Sequence, residues 1–175
     1  MIQKAVVIPT GNEIMTGVVL DTNSPAILEI ILEKYPQALV IRAQPAADET
    51  EEIIRVLKLY GDSDLIVLIG GSGGGKAYDP SLADDVTHFA LEKVLADRQV
   101  QEIYGYNGHL WSRLIIGKLG QTIVANVPGP FVEAVAAAGV IVRGLAQGLD
   151  LSAISRQTAQ AVLAQYPLGG QVRCL

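Results

Sequence analysis

Residues 64–85 read DLIVLIGGSGGGKAYDPSLADD. Leu65 through Ile69 are consecutive apolar residues behind Asp64, ended by Gly70 and Gly71. A run this short between turn signals reads as a strand buried on both faces. Five glycines fill six positions from 70 to 75, broken only by Ser72. Glycine allows positive φ and lets a ligand approach the peptide N–H groups, and so many in a row waste entropy unless something does. After Lys76, Tyr78 and Asp79-Pro80, the pattern Ser81-x-x-Asp84 has the form of a helix capping box. Strand, glycine loop, acidic residues and helix in that order are typical of a phosphate or nucleotide site at the edge of a parallel sheet.

Working outward, short apolar runs alternate with helix-spaced ones. Strands are expected at 5–8, 38–41, 65–69 and 122–127. Helices are expected from the caps at 21–24 to about Tyr35, from Asp48-x-x-Glu51 to Gly61, over 82–95, from about Phe131, and from a Ser152 cap to about Gln165. Residues 101–120 read as the least regular part, with a turn-rich stretch at 104–109, and the tail from Pro167 reads as irregular. The alternation argues an α/β fold, a three-layer α/β/α sandwich around a largely parallel but mixed sheet, as one domain over 1–175.

Composition narrows the function. Half the residues are hydrophobic and mean hydropathy is +0.34, yet every apolar run stops well short of the roughly 18 residues a membrane span needs. The excess fits a fully covered sheet and a buried oligomer interface. The net charge of −5, with no basic stripe, argues against nucleic acid. One cysteine, Cys174, excludes a disulfide framework and a cysteine metal site. No signal-peptide pattern precedes the first strand, so a cytoplasmic protein is expected.

The glycine loop is not a true P-loop. Gly70-x-x-x-x-Gly75-Lys76 matches, but the position that must be Ser or Thr to hold magnesium is Ala77, and Pro80 falls where the helix should already run. Asp79 lies within the loop, ahead of the cap, and is the better candidate for chemistry; Asp84 and Asp85 read as helix caps. Glu13 follows a strand end and either faces the same cleft or is a solvated loop residue. Arg113 is the strongest basic candidate for an anion, because guanidinium matches phosphate bidentately. His88 and Trp111 read as structural, His109 sits in the turn-rich segment where it could reach a site, and Pro128-Gly129-Pro130 either presents N–H groups to a ligand or is a rigid turn.

Taken together, four stretches in register resemble a known family. Thr10-Gly11-Asn12-Glu13-Ile14 with Gly17 and Asp21-Thr22-Asn23 is similar to the opening motif of the MoaB/Mog-like molybdopterin-binding domain. Gly70, Gly71, Ser72 and Gly73, followed by Asp79 and Ser81, resemble its glycine loop. Ser112-Arg113, Gly117, Gly120-Gln121-Thr122 and Asn126-Val127-Pro128-Gly129 resemble its C-terminal pattern, so the likeness covers about 5–145.

The resemblance implies a protein of molybdenum-cofactor biosynthesis that binds molybdopterin, usually as a trimer. Active members adenylylate the molybdopterin phosphate with magnesium and ATP. It assigns Asp79 to metal and phosphate and Glu13 to the motif glutamate. Thr10, Gly11, Gly70, Gly71, Ser72, Gly73, Gly74, Lys76, Ser81 and Arg113 go to the phosphate or ligand, and Pro128 and Gly129 to the pterin end. Three features depart from the pattern: Asn12 replaces an aspartate, the glycine loop is longer with Tyr78 before its aspartate, and Pro130-Phe131 replaces an Asn-Pro or Ser-Pro pair, removing a polar side chain. The alternatives are a pterin- or nucleotide-binding module without chemistry, and a metal-dependent dinucleotide hydrolase.

Overall fold

The computed structural model describes residues 1–75, 85–166 and 168–175. Lys76, Asp79 and Ser81, together with the expected capping box and the start of the helix expected from 82, lie outside the described residues. Among the described residues a seven-stranded sheet has the order β2-β1-β3-β6-β5-β4-β7. The strands are β1 (Lys4–Pro9), β2 (Leu39–Arg42), β3 (Leu65–Ile69), β4 (Ala96–Gly105), β5 (Leu110–Leu119), β6 (Thr122–Val127) and β7 (Gly170–Cys174). Helices α1 (Asn12–Met15), α2 (Asn23–Lys34), α3 (Thr50–Leu59), α4 (Thr87–Val94), α5 (Phe131–Ala146) and α6 (Leu151–Leu163) fill the connections.

The sheet is mixed in two halves. β2, β1, β3 and β6 run parallel, whereas β6–β5, β5–β4 and β4–β7 pair antiparallel. The buried reading of β3 holds on both faces. Leu65, Val67 and Ile69 join the core that includes Ile27 and Ile31 of α2, Ala134 and Ile141 of α5 and Ile154 of α6; Ile66 and Leu68 join the core that includes Ile53 and Leu57 of α3 and Leu91 of α4. That is the three-layer arrangement the alternation implied. Asp64 ties the strand base, its Oδ2 accepting the N–H of Gln3 at 2.6 Å and of Lys4 at 2.9 Å.

Two expectations change. The stretch read as least regular is the long β4–β5 hairpin, and the tail read as irregular is β7, which pairs with β4 from Gln101↔Cys174 to Gly105↔Gly170. Polar residues such as Gln101 and Glu102 hide the strand signal, because their burial comes from neighbouring elements and not from an alternating pattern. Helix starts also shift. Asp150, not Ser152, caps α6 by accepting the Ala153 N–H at 2.7 Å. Pro25 is the third residue of α2 and not the first, still within the turn where a missing N–H costs nothing.

Asn126 sits where the two halves of the sheet part. Register between β5 and β6 runs from Leu119↔Thr122 to Ile116↔Ala125 and goes no further. Beyond it the Asn126 side chain stands in for a strand: Oδ1 accepts the Ile115 N–H at 2.6 Å and Nδ2 donates to the Arg113 carbonyl at 2.9 Å. Asn126 is 1% exposed, so those groups have no water to turn to. Asn126→Leu removes both bonds at once and should lower stability by about 2–5 kcal/mol. Urea denaturation measures it, and a loss under about 0.5 kcal/mol would mean the amide is not what joins β5 to β6.

Candidate functional site

The parting of β5 from β6 leaves room for the glycine loop. The Arg113 N–H, which would otherwise face β6, donates to the Ser72 carbonyl at 2.7 Å. Gly70 continues the parallel ladder for one more bond, its N–H donating to the Val127 carbonyl at 3.0 Å. The chain then turns at Gly70 (φ 96°) and Gly71 (φ 60°). Gly71 must lack a side chain, since a β-carbon there would run into the Thr87 hydroxyl. Its carbonyl accepts the Thr87 N–H at 3.1 Å and lies 3.3 Å from His88 Nδ1, which anchors the loop to the start of α4. Burial holds the His88 pKa below its ordinary value, consistent with its structural reading.

A cleft of about 540 Å³ opens beside this loop, at the C-terminal ends of β1, β3 and β6. Of the residues expected there, Thr10, Gly11, Glu13, Gly70, Gly71, Ser72, Gly73, Pro128 and Gly129 line it. Thr10 is buried, its hydroxyl donating to the Ile69 carbonyl at 2.9 Å, so it braces the loop. Glu13 is exposed, and a β-carbon on Gly11 would come within 2.6 Å of its Oε1, so Gly11 makes the space in which that carboxylate lies.

Gly74 and Arg113 are not among the lining residues. The Arg113 guanidinium is paired with Glu92 and, at 3.4 Å, Glu102. Its charge is spent on α4 and β4, and its part near the cleft is the backbone N–H. Asp79, Lys76 and Ser81 fall outside the described residues.

Sequence reading missed four acidic residues whose side chains the fold turns into the cleft. Asp85 does not cap α4, whose N-cap is Val86 with no side-chain bond. It folds back and accepts the backbone N–H groups of Gly73 and Gly75. Burial pushes its pKa above the ordinary carboxylate value and nearby Glu13 adds to the rise, while His88 and those two N–H groups oppose it. One of the loop donors expected to meet phosphate, the Gly73 N–H, is thus already engaged by a carboxylate.

Asp48, read as a helix cap, instead accepts the Asn12 N–H at 3.2 Å and lines the same cleft. Asp21 resists burial through hydrogen bonds from Ser24 and an ion pair with Arg42 at 2.8 Å, which together hold its pKa below the ordinary value. The fourth, Glu133, lines the cleft with Trp111, Ser112 and Tyr166, and the Trp111 carbonyl runs close against Gly73 of the loop. Asp21 belongs to the opening motif; the other three carry no sequence signal beyond an acidic residue near an element end.

Asn23 closes one wall of the cleft, its Nδ2 donating to the Gly129 carbonyl at 2.7 Å. That bond ties the start of α2 to the turn before α5 and gives the Asp21-Thr22-Asn23 motif a physical purpose. Among the described residues no group of three or more His, Cys, Asp or Glu is placed to hold a metal ion. Glu13 and Asp85 nonetheless offer hard oxygen ligands in the cleft, and magnesium commonly uses only one or two carboxylates with phosphates completing its shell.

The raised pKa of Asp85 has a thermodynamic consequence. A carboxyl that holds its proton more tightly when folded costs stability once ionised, so its contribution falls as pH rises from 3.8 through the folded value. Asp85→Asn still accepts a loop N–H and carries no charge. It should raise Tm at pH 7, the gain shrinking to nothing near pH 3.5, as thermal unfolding across that range would measure. A lower Tm at pH 7 would mean that the ionised carboxylate stabilises the loop.

A family model described as "Probable molybdopterin binding domain" matches residues 6–147. A CinA-like protein of Anaeromyxobacter dehalogenans is 32% identical over 91 residues, covering 51% of this chain and 20% of the relative. One from Thermosipho melanesiensis is 30% identical over 109 residues, 62% of this chain and 25% of the relative. The match thus spans a quarter or less of these relatives' length.

Among solved structures, the tungsten cofactor synthesizing protein MoaB of Pyrococcus furiosus superposes with a TM-score of 0.62 at 20% identity, covering 84% of this chain and 94% of that one. The Mog protein of Mycobacterium ulcerans gives 0.61 at 23%, covering 89% and 99%. The molybdopterin biosynthesis enzyme MoaB of Thermus thermophilus gives 0.56 at 22%, covering 95% and 92%. At these identities the likeness is one of fold.

Proposed function

The chain belongs to the family of probable molybdopterin-binding domains, and from that premise we propose that its cleft binds molybdopterin in cytoplasmic molybdenum-cofactor assembly. The observation that carries the reading is the mixed lining of the cleft. Its volume suits a small ligand. A glycine loop backed by a buried parallel strand lines it together with a cluster of aromatic and polar side chains, Trp111, Ser112, Glu133 and Tyr166. A pterin bearing a phosphate combines the same two kinds of chemistry.

Glu13, Asp48 and Asp85 line the cleft that would receive the phosphate. A bare anion there meets like charge, so the phosphate would arrive with a cation. We assign magnesium to the cleft, held by Asp79 with Glu13 and Asp85 close by, and when bound it would neutralise phosphate charge. The chain's own work is positional. Thr10, Thr87 and His88 brace the loop, Gly70 to Gly73 let the ligand approach the backbone, and Asp85 releases the Gly73 N–H as phosphate takes its place. Lys76 and Ser81 are proposed as further phosphate contacts, and Pro128-Gly129 as the pterin-side turn.

In its catalytic form the reaction is adenylylation. A molybdopterin phosphate oxygen attacks the α-phosphorus of ATP in line, the bond to the bridging oxygen breaks, and pyrophosphate leaves with the electron pair. Orientation and electrostatic stabilisation supply the acceleration, with little covalent work by the protein. The acidic cleft also suits metal-assisted hydrolysis of a dinucleotide pyrophosphate, a second reading that requires release of a mononucleotide with no pterin present.

Calorimetric titration with molybdopterin, with and without magnesium-ATP, tests the reading. Binding with pyrophosphate release is expected; binding without it leaves a carrier; no binding rejects the ligand. Asp79→Asn should cut turnover by about 100-fold or more while the unfolding transition stays in place. Unchanged turnover would take Asp79 out of the mechanism.

We further propose a trimer, with exposed Val18, Leu20, Phe131 and Val132 supplying apolar surface around the cleft mouth. Equilibrium sedimentation should give three times the chain mass of 18.6 kDa, and a monomer mass would reject it.

A further inference from the structure

Glu133 is the third residue of α5 and only 8% exposed, yet it lines the cleft. Carboxylates are almost never this buried without a paired cation. Among the described residues no Lys or Arg pairs with Glu133. Its hydrogen-bond donor is the Tyr166 hydroxyl, 3.0 Å from Oε2. Burial holds its pKa above the ordinary value.

The surroundings are built to hold that carboxylate still. The Tyr166 hydroxyl lies 3.4 Å from Ser112 Oγ, and the Tyr166 ring packs against Trp111 with centroids 4.2 Å apart. Trp111 in turn lies so close over Gly105 that any β-carbon there would collide with its indole. A carboxylate oriented by a tyrosine, with acceptor capacity left over, therefore faces the cleft beside a flat aromatic wall. Leaving that capacity unused in a buried site is costly, and a planar ligand edge carrying two N–H donors offsets the cost.

Resting on the molybdopterin reading, we propose that Glu133 determines ligand specificity by accepting the exocyclic amino group and adjacent ring N–H of an amino-oxo-pyrimidine edge. Tyr166 and Ser112 position the carboxylate, and Trp111 covers the ring face. The match is one of pattern: two donors on the ligand meet two acceptor oxygens, in charge-assisted bonds about twice as strong as neutral ones. A ring with a carbonyl in place of the amino group turns an acceptor toward the carboxylate and leaves both unpaired. Sites built around a hydrogen-bonding group reject such analogues strongly. Pterins carry this edge, and so does guanine.

The test is calorimetric titration of the full chain and of Glu133→Gln with three probes: hydroxymethylpterin phosphate, the corresponding lumazine phosphate with a carbonyl for the amino group, and guanosine monophosphate. Urea denaturation of both proteins checks the fold. The expected result is wild-type preference for pterin over lumazine of about 10-fold or more, falling to within about 3-fold in the variant, whose amide both donates and accepts. Lumazine binding that survives in the variant certifies that its cleft is intact.

Equal wild-type affinities for pterin and lumazine, unchanged in the variant, would overturn the role of Glu133 and leave the pterin reading standing. Guanosine monophosphate binding more tightly than the pterin, with that advantage lost in the variant, would uphold the role of Glu133 and move the ligand to a purine. Failure of the wild type to bind any of the probes would overturn both.

Discussion

A single buried amide carries the join between the two halves of this sheet past the end of the β5–β6 ladder. Asn126 satisfies the Arg113 carbonyl and the Ile115 N–H at the point where β6 stops pairing with β5. A strand continuing in register would fill that space with backbone. The side chain closes the polar groups while keeping the strands apart, and the gap is where Ser72 reaches the Arg113 N–H. Loop, cleft and the direction of Trp111-Ser112 all follow from that separation.

The cleft is acidic where a phosphate-binding loop is expected to be receptive. Asp85 engages the N–H groups of Gly73 and Gly75, and the raised pKa of Asp85 reflects burial beside Glu13. A carboxylate seated on loop donors resembles an anion that a ligand must displace. This favours a phosphate delivered with a cation, and it ties ligand binding to a rearrangement of the loop. Basic residues do not supply the counter-charge from the expected side, because Arg113 is committed to Glu92 and Glu102.

Family motifs acquire separate physical meanings in this frame. Asp21-Thr22-Asn23 starts α2 and also clips the Gly129 turn in place. Thr10 supports the loop from below, and Asn126 spaces the strands. Two further lining residues, Glu133 and Tyr166, come from α5 and the segment after α6, and their hydroxyl-carboxylate bond spans 33 positions of sequence.

The α/β class, the strand cores at β1, β3 and β6, the glycine loop and the family resemblance were legible in the sequence. They rest on local signals: apolar runs, glycine clusters, and prolines that stop elements. The antiparallel extension was not legible, because β4 and β7 carry polar residues whose burial depends on which strand lies beside them. Nor were the roles of Asp48, Asp85 and Glu133. Each sits at an element end where capping is the ordinary expectation, and a carboxylate caps a helix or turns into a cleft according to which backbone N–H the fold brings within reach. Partner choice over tens of residues is a tertiary property, and here it decided both the shape of the cleft and its charge.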